Sequence, residues 1–244
     1  LSANSSEEII IVATPPESVF EAITSRFRSD IDQIFIEVSG IKTKLLLELK
    51  DFPDIISSLA MVHPMAGREV SGAESARSDL FEGRSWISIS HAGQNAKANA
   101  LGQALGQMLG SSIIEKSLME HDQAITLVSQ LPQLIATVMA SNLQGRGEEV
   151  VVAGQGLRDV TRLADSDPKL WSHLVASNPD HLNALIEEAI IKLKSLTNSL
   201  STGNIEEIEN FFQLGNSGRS KIPGKHGAKA RAYSFLPIVI PDKP

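Results

Sequence analysis

Ile9-Ile10-Ile11-Val12-Ala13 is a continuous apolar run that follows directly on a short polar stretch, Ser2 to Glu8. Such a run reads as a parallel strand buried on both faces. Further apolar runs outward from it predict strands at 33–38, 57–62, 85–89 and 112–115, after the first at 9–13. Helical patterns fall between them at 16–26, 42–50 and 93–109, the first led by Pro15-Pro16-Glu17 with proline in its opening turn. Strand and helix alternating from residue 9 to residue 117 is the pattern of an α/β layered sheet. Gly102, Gly106 and Gly110 recur every four residues along the third helix, and a helix lying tightly on the sheet accounts for them without a ligand.

After Leu118 the strand pattern nearly disappears, with Val150-Val151-Val152 as the exception. Residues 119–142 are apolar around much of a helical circumference, which predicts a helix buried on several sides and kinked at Pro132. Asn178-Pro179-Asp180 announces another helix, with an N-cap, a first-turn proline and an acid at the positive end of the dipole. Its stripe Leu182, Leu185, Ile186, Ala189, Ile190, Leu193, Leu196, Leu200 runs close to heptad spacing and predicts a contact with a second subunit. Phe235 to Ile240 and the following Pro241 to Pro244 read as a strand and its turn with no partner, as in a piece of a longer protein.

With 244 residues, 42% of them hydrophobic, the chain can bury a core in one or two domains. Asp and Glu (29) exceed Lys and Arg (22), and the net charge of -7 argues against nucleic acid as a partner. No apolar run of about 18 residues and no basic-then-apolar leader is evident, so neither a membrane span nor secretion is expected. Zero cysteines exclude disulfides, thiol catalysis and thiolate metal sites, and a reducing cytoplasm fits.

Two stretches can carry chemistry. His63, in Val62-His63-Pro64-Met65-Ala66-Gly67, follows a strand, and ligands of open α/β sheets sit outside strand carboxyl ends. A satisfied polar loop residue is the competing reading. Arg158 and Arg162, four apart with Asp159 and Asp165 near, could take a carboxylate between two guanidinium groups, or could form a solvated salt-bridged helix. Gly154-Gln155-Gly156 lacks the third glycine and the strand-helix-strand context of a dinucleotide site. His121 begins the apolar helix, while His91, His173, His181 and His226 have no partners at metal-ligand spacing.

Several stretches together, in order, resemble the prephenate and arogenate dehydrogenases of tyrosine biosynthesis. They are Val12-Ala13-Thr14-Pro15; Glu37-Val38-Ser39-Gly40-Ile41-Lys42; His63 through Gly72; Leu80-Phe81-Glu82 before Trp86; His121-Asp122; Val128 through Gln133; Arg158 through Ala164; and Asp167-Pro168 with Trp171. The resemblance implies a Rossmann NAD-binding domain over residues 1–117, lacking its glycine-rich first strand-turn-helix, then an all-helical substrate and dimerisation domain over 118–223. Residues 224–244 would be a linker and the start of a truncated ACT-like regulatory domain.

The chemistry so implied is NAD-dependent oxidative decarboxylation of prephenate to 4-hydroxyphenylpyruvate by a cytoplasmic homodimer. His63 would accept the ring hydroxyl proton, and Arg162 would bind a carboxylate, with Glu69 and Asp159 organising the pocket mouth. His121, Gln130 and Gln133 would lie on the substrate side, and Thr14, Pro15 and Ser39 on the cofactor side. Three positions depart from the family pattern. Ser39-Gly40 stands where the family has Gly-Ser, moving by one position the hydroxyl that steadies the histidine, and Gln130 and Gln133 replace histidines. The glutamines leave arogenate as the alternative substrate, and a noncatalytic helical dimerisation and regulatory protein is the alternative outside the enzyme class.

Overall fold

The computed structural model describes residues 7–67 and 76–222, which fall in two compact units, 1–189 and 190–244. Five strands form one sheet in the order β1 (Glu7–Val12), β2 (Asp32–Glu37), β3 (Leu59–Pro64), β4 (Ser85–Ser90), β5 (Ser112–Ser117). β1, β2 and β3 run parallel, β4 is antiparallel to β3, and β5 is parallel to β4. Between them lie α1 (Val19–Thr24), α2 (Thr43–Glu48), α3 (Pro53–Ser57) and α4 (Ala96–Met108).

Alternation along the central strands builds two cores. Phe35, Leu59, Met61, Ile87 and Ile89 cluster with Val19 and Ile23 of α1, Leu45 of α2 and Ile55 of α3. On the other face Ile34, Ile36, Ala60, Val62 and Trp86 cluster with Ala98 of α4. A β-carbon on Gly106 would fall 2.6 Å from the Trp86 ring, and one on Gly102 would fall 3.0 Å from Val62. The glycine row thus lets α4 lie flat on the sheet. Gly110, just past the helix end, adopts φ of 75°.

Among the described residues the opening run lies at the edge of the sheet, paired with β2 alone, and Ile9 and Ile11 are 42% and 53% exposed. Four expectations are corrected. The 16–26 helix divides into a 3-10 turn (Pro16–Ser18) and α1, and α3, with proline at its start, takes the beginning of the run read as strand 57–62. Val150 ends the short helix α7 (Gly147–Val150), and Val151 and Val152 stand in an exposed turn, so the valine triplet forms no strand. β-propensity alone does not make a strand where no neighbouring edge is offered.

The fourth concerns residues 119–142, where α5 (Leu118–Ile125), a π-helical turn (Thr126–Gln130) and α6 (Leu131–Ser141) follow without a break. Pro132 has no N–H for Val128, and the wider turn before it accommodates the loss. Burial here is one-sided: Leu127, Val128, Ile135, Val138 and Met139 are exposed within the chain. Residues 118–141 are also long and apolar enough, by length and composition, to cross a membrane. They carry His121, Asp122, Gln130 and Gln133, however, whose side chains bond to β3, α2 and neighbouring helices.

The remaining helices are α8 (Gln155–Thr161), a 3-10 turn (Arg162–Ala164), α9 (Pro168–Ala176), α10 (Pro179–Thr202) and α11 (Ile205–Ser220). Within the second unit, Gly203 at φ of 68° ends α10, and Asn204 caps α11 by accepting from the Glu207 N–H at 3.2 Å. Buried Ser199 donates to Glu207 at 2.6 Å and ties the two helices together. The terminal strand-and-turn expected from Phe235 onward lies outside the described residues.

Candidate active site

The two-residue period of β3 places His63 on the face of Leu59 and Met61, the face on which α5 packs. A capping box fixes where α5 begins: the Ser117 hydroxyl accepts from the Glu120 N–H, and the Glu120 carboxylate accepts from the Ser117 N–H at 2.8 Å. One turn on, His121 and Ile125 are buried side by side on the sheet-facing stripe. Nδ1 of His63 therefore meets Nε2 of His121 at 2.9 Å, the rings edge to face with centroids 5.2 Å apart. Nδ1 of His121 lies 2.7 Å from Asp122 Oδ1, and the Thr43 hydroxyl donates to the other Asp122 oxygen. Gly40 faces the Cε1–Nε2 edge of His63, where a β-carbon would lie 3.4 Å from Cε1, 3.5 Å from Nε2 and 3.6 Å from the Leu174 side chain.

Beneath this row a buried ion pair joins two strand ends. Lys42 pairs with Glu37, both side chains fully buried, and also donates to the Val62 carbonyl at 2.8 Å. Glu37 accepts from the Ser39 N–H at 2.5 Å. Burial pushes the Lys42 ammonium below its ordinary range against the pull of Glu37. Burial, followed by the positive charge of Lys42 and the neighbouring His121, holds the His63 imidazole well below 6.5, so this ring is neutral near pH 7. Burial opposes ionisation of Asp122, but the bonds from His121 and Thr43 outweigh it and leave the carboxyl below its ordinary value.

His63 and His121 thus come together, with His121 fully buried behind His63 and both its nitrogens engaged. Gln130 is buried and donates to the Leu174 carbonyl at 2.9 Å, while its Oε1 has no hydrogen-bond partner among the described residues. It lines a cleft of about 10 Å³, room for one water, together with Gly40, Lys42, Thr43, Asp122 and Asn178. Gln133 donates to the Leu163 carbonyl at 2.8 Å and so holds the 3-10 turn that begins at Arg162. Arg162 is exposed there, after α8 has ended at Thr161, so Arg158 and Arg162 do not share one α-helical face. Asp159 is exposed and accepts from Gln155 at 2.7 Å. Glu69 lies outside the described residues.

Of the residues expected on the cofactor side, Thr14 and Pro15 are exposed immediately past β1, whose end is tied to β2 by the Val38 N–H donating to the Val12 carbonyl at 3.2 Å. Ser39 bends back on its own loop, donating to the Ile41 carbonyl at 3.3 Å, so its hydroxyl does not steady His63. Open main chain at adjacent strand carboxyl ends fits the flat end of a dinucleotide. No Gly-x-Gly-x-x-Gly occurs in the sequence, so none of these residues is assigned to the pyrophosphate. Sequence reasoning assigned no role to Glu37, Lys42, Thr43 and Asp122. The available signal was two charges, Glu37 and Lys42, set directly at the end of an apolar strand, where burial demands a partner.

The chain matches the prephenate dehydrogenase nucleotide-binding domain over residues 1–113 and the prephenate dehydrogenase dimerization domain over residues 117–214. It is 26% identical, over 97% of its length and 69% of the relative's, to a Streptomyces niveus protein named "Probable prephenate dehydrogenase NovF". With the prephenate dehydrogenase of Bacillus subtilis (strain 168) it shares 25% identity over 96% of this chain and 65% of the relative. The chain thus spans about two thirds of the length of these curated relatives. A crystal structure of prephenate dehydrogenase from Aquifex aeolicus, in complex with hydroxyphenyl propionate and NAD+, superposes with a TM-score of 0.76 at 22% identity, covering 88% of this chain and 75% of that one. Domain matches spanning the α/β sheet and the helices after it, together with this common fold, make the chain a member of the prephenate dehydrogenase family.

Proposed function

We propose that the protein to which this chain belongs is an NAD-dependent prephenate dehydrogenase, acting in tyrosine biosynthesis in the cytoplasm. The observation that carries the reading is His63, neutral at the carboxyl end of β3 with its Nε2 edge on the glycine side of the ring. NAD+ when bound supplies the acceptor for the hydride leaving the substrate ring. His63 takes the ring hydroxyl proton as the carbon beneath it is oxidised, and the proton returns to oxygen once loss of carbon dioxide makes the ring aromatic. Arg162 binds a substrate carboxylate from the turn held by Gln133, with Asp159 and Glu69 shaping the mouth around it. Thr14, Pro15 and Ser39 line the nicotinamide side. Residues 1–117 form the cofactor domain, 118–223 the substrate and dimerisation domain, and 224–244 lead into a further regulatory module.

Arogenate is the second substrate reading, and Gln130 favours it. One of its two amide N–H bonds goes to the Leu174 carbonyl, and its Oε1, without a partner among the described residues, presents an acceptor, which suits an amine better than a keto group. Steady-state oxidation of NAD+-dependent substrates by the full-length protein tests both: turnover of prephenate supports the first reading, a higher kcat/KM for arogenate supports the second, and turnover of neither overturns both.

A further inference from the structure

Asp122 ends a row of side chains that runs from Thr43 to His63. As a carboxylate it only accepts, so the His121 nitrogen beside it carries hydrogen. In a neutral His121 the other nitrogen, Nε2, then holds a lone pair and must receive its hydrogen bond from Nδ1–H of His63. The lone pair of His63 is left on Nε2, on the side of Gly40 and the Leu174 side chain. Had Asp122 been an uncharged donor, the same geometry would place the hydrogen on Nε2 and disable the base.

We propose that Asp122 is a positioning residue for His63, acting through His121 to set both rings in the Nδ1–H form. The proposal rests on the reading of His63 as the base. When the substrate O–H bond breaks and Nε2–H forms, the Nδ1 proton of His63 passes to Nε2 of His121. The positive charge then rests on His121, beside the Asp122 carboxylate. The proton is returned along the same row when the product oxygen is protonated. Among the described residues, Lys42 from the loop after β2 and His121 from α5 are the charged or titratable groups acting on His63, with Glu37 and Asp122 behind them; Gly40, Leu174 of α9 and Ile87 of β4 add no charge.

The test uses the full-length protein and Asp122→Asn. Expected is a fall in kcat of ~10²-fold or more with KM changed less than about threefold, and an acid limb of kcat/KM displaced to lower pH because the histidine pair loses its counter-charge. Asp122→Glu should restore the limb and part of kcat. An unmoved acid limb, or a loss carried by KM, overturns the proposal. Nitrogen-15 NMR of histidine-labelled wild type is the second measurement and needs no activity or variant. A His63 protonated on Nδ1 and bare on Nε2 supports the proposal, and the opposite tautomer overturns it. Wild type that turns over neither prephenate nor arogenate defeats the dehydrogenase reading alone, and the tautomer still decides the row.

Discussion

Lys42 holds the main chain beside His63 in place: its Nζ donates to the carbonyl of Val62, the preceding residue, while its charge is balanced by fully buried Glu37. Removing one partner of a buried pair strands the other. Lys42→Met should cost on the order of 3–5 kcal/mol, and the Glu37→Gln/Lys42→Met double variant should recover at least half of that. Urea unfolding of the full-length protein reads both; two losses that simply add would contradict a coupled pair.

Activity should persist into mildly acidic solution. The His63 imidazole is held well below 6.5, chiefly by burial and then by Lys42, so the proton-accepting form survives as pH falls through that value. A kcat/KM profile flat from neutrality to below 6.5 is expected. A limb at or above it would place another group in control.

His63 and Arg162 should fail differently. His63 acts on a proton that moves only as the hydride leaves, so His63→Asn should lower kcat by ~10²–10⁴ with little change in KM. Arg162→Gln removes a carboxylate partner present before reaction and should chiefly raise KM, by about 2–3 kcal/mol in binding. Steady-state kinetics with prephenate separate the two patterns.

Gly106→Ala tests the packing of α4. Its β-carbon would enter the Trp86 ring at 2.6 Å, and the indole is itself fixed by donating to the Gly102 carbonyl at 3.1 Å. Overpacking of this kind should cost about 1–3 kcal/mol, despite the better helix propensity of alanine. A melting temperature equal to wild type would show that the ring can move.

The 118–141 helix run leaves Leu127, Val128, Ile135, Val138 and Met139 exposed, and in the second unit α10 leaves Leu193 and Leu200 exposed; each is apolar surface that a second copy should cover. Val138→Asp with Leu193→Asp should convert a dimer of the full-length protein to monomer in sedimentation. Wild type that is monomeric at roughly ten micromolar would remove the subunit-contact reading.

Periodicity made the α/β sheet legible because its central strands alternate between two separate cores, and the position of His63 at the end of β3 followed from the apolar run before it. Isolated runs carried less information. Ile9–Val12 and Val150–Val152 look alike in composition, yet one pairs with β2 and the other ends a helix, because pairing depends on an available edge elsewhere in the chain. The buried row behind His63 was illegible for a similar reason. Thr43 and Asp122 are 79 residues apart, and only the packing of α5 on the sheet joins them.

The π-helical turn at Thr126–Gln130 has a consequence for how this helix can change over generations. Along α5 the buried positions His121 and Ile125 are four apart; across the π-helical turn, which also buries Thr126, the step from Ile125 to Gln130 is five, one residue more than an α-helical turn takes, and Gln133 and Ala136 follow from there. The extra residue therefore sets the phase of everything downstream. Loss of a single codon there would rotate Gln130 and Gln133 out and drive a hydrophobic residue of the exposed row inward, so length within this turn is constrained more tightly than the identity of its exposed residues.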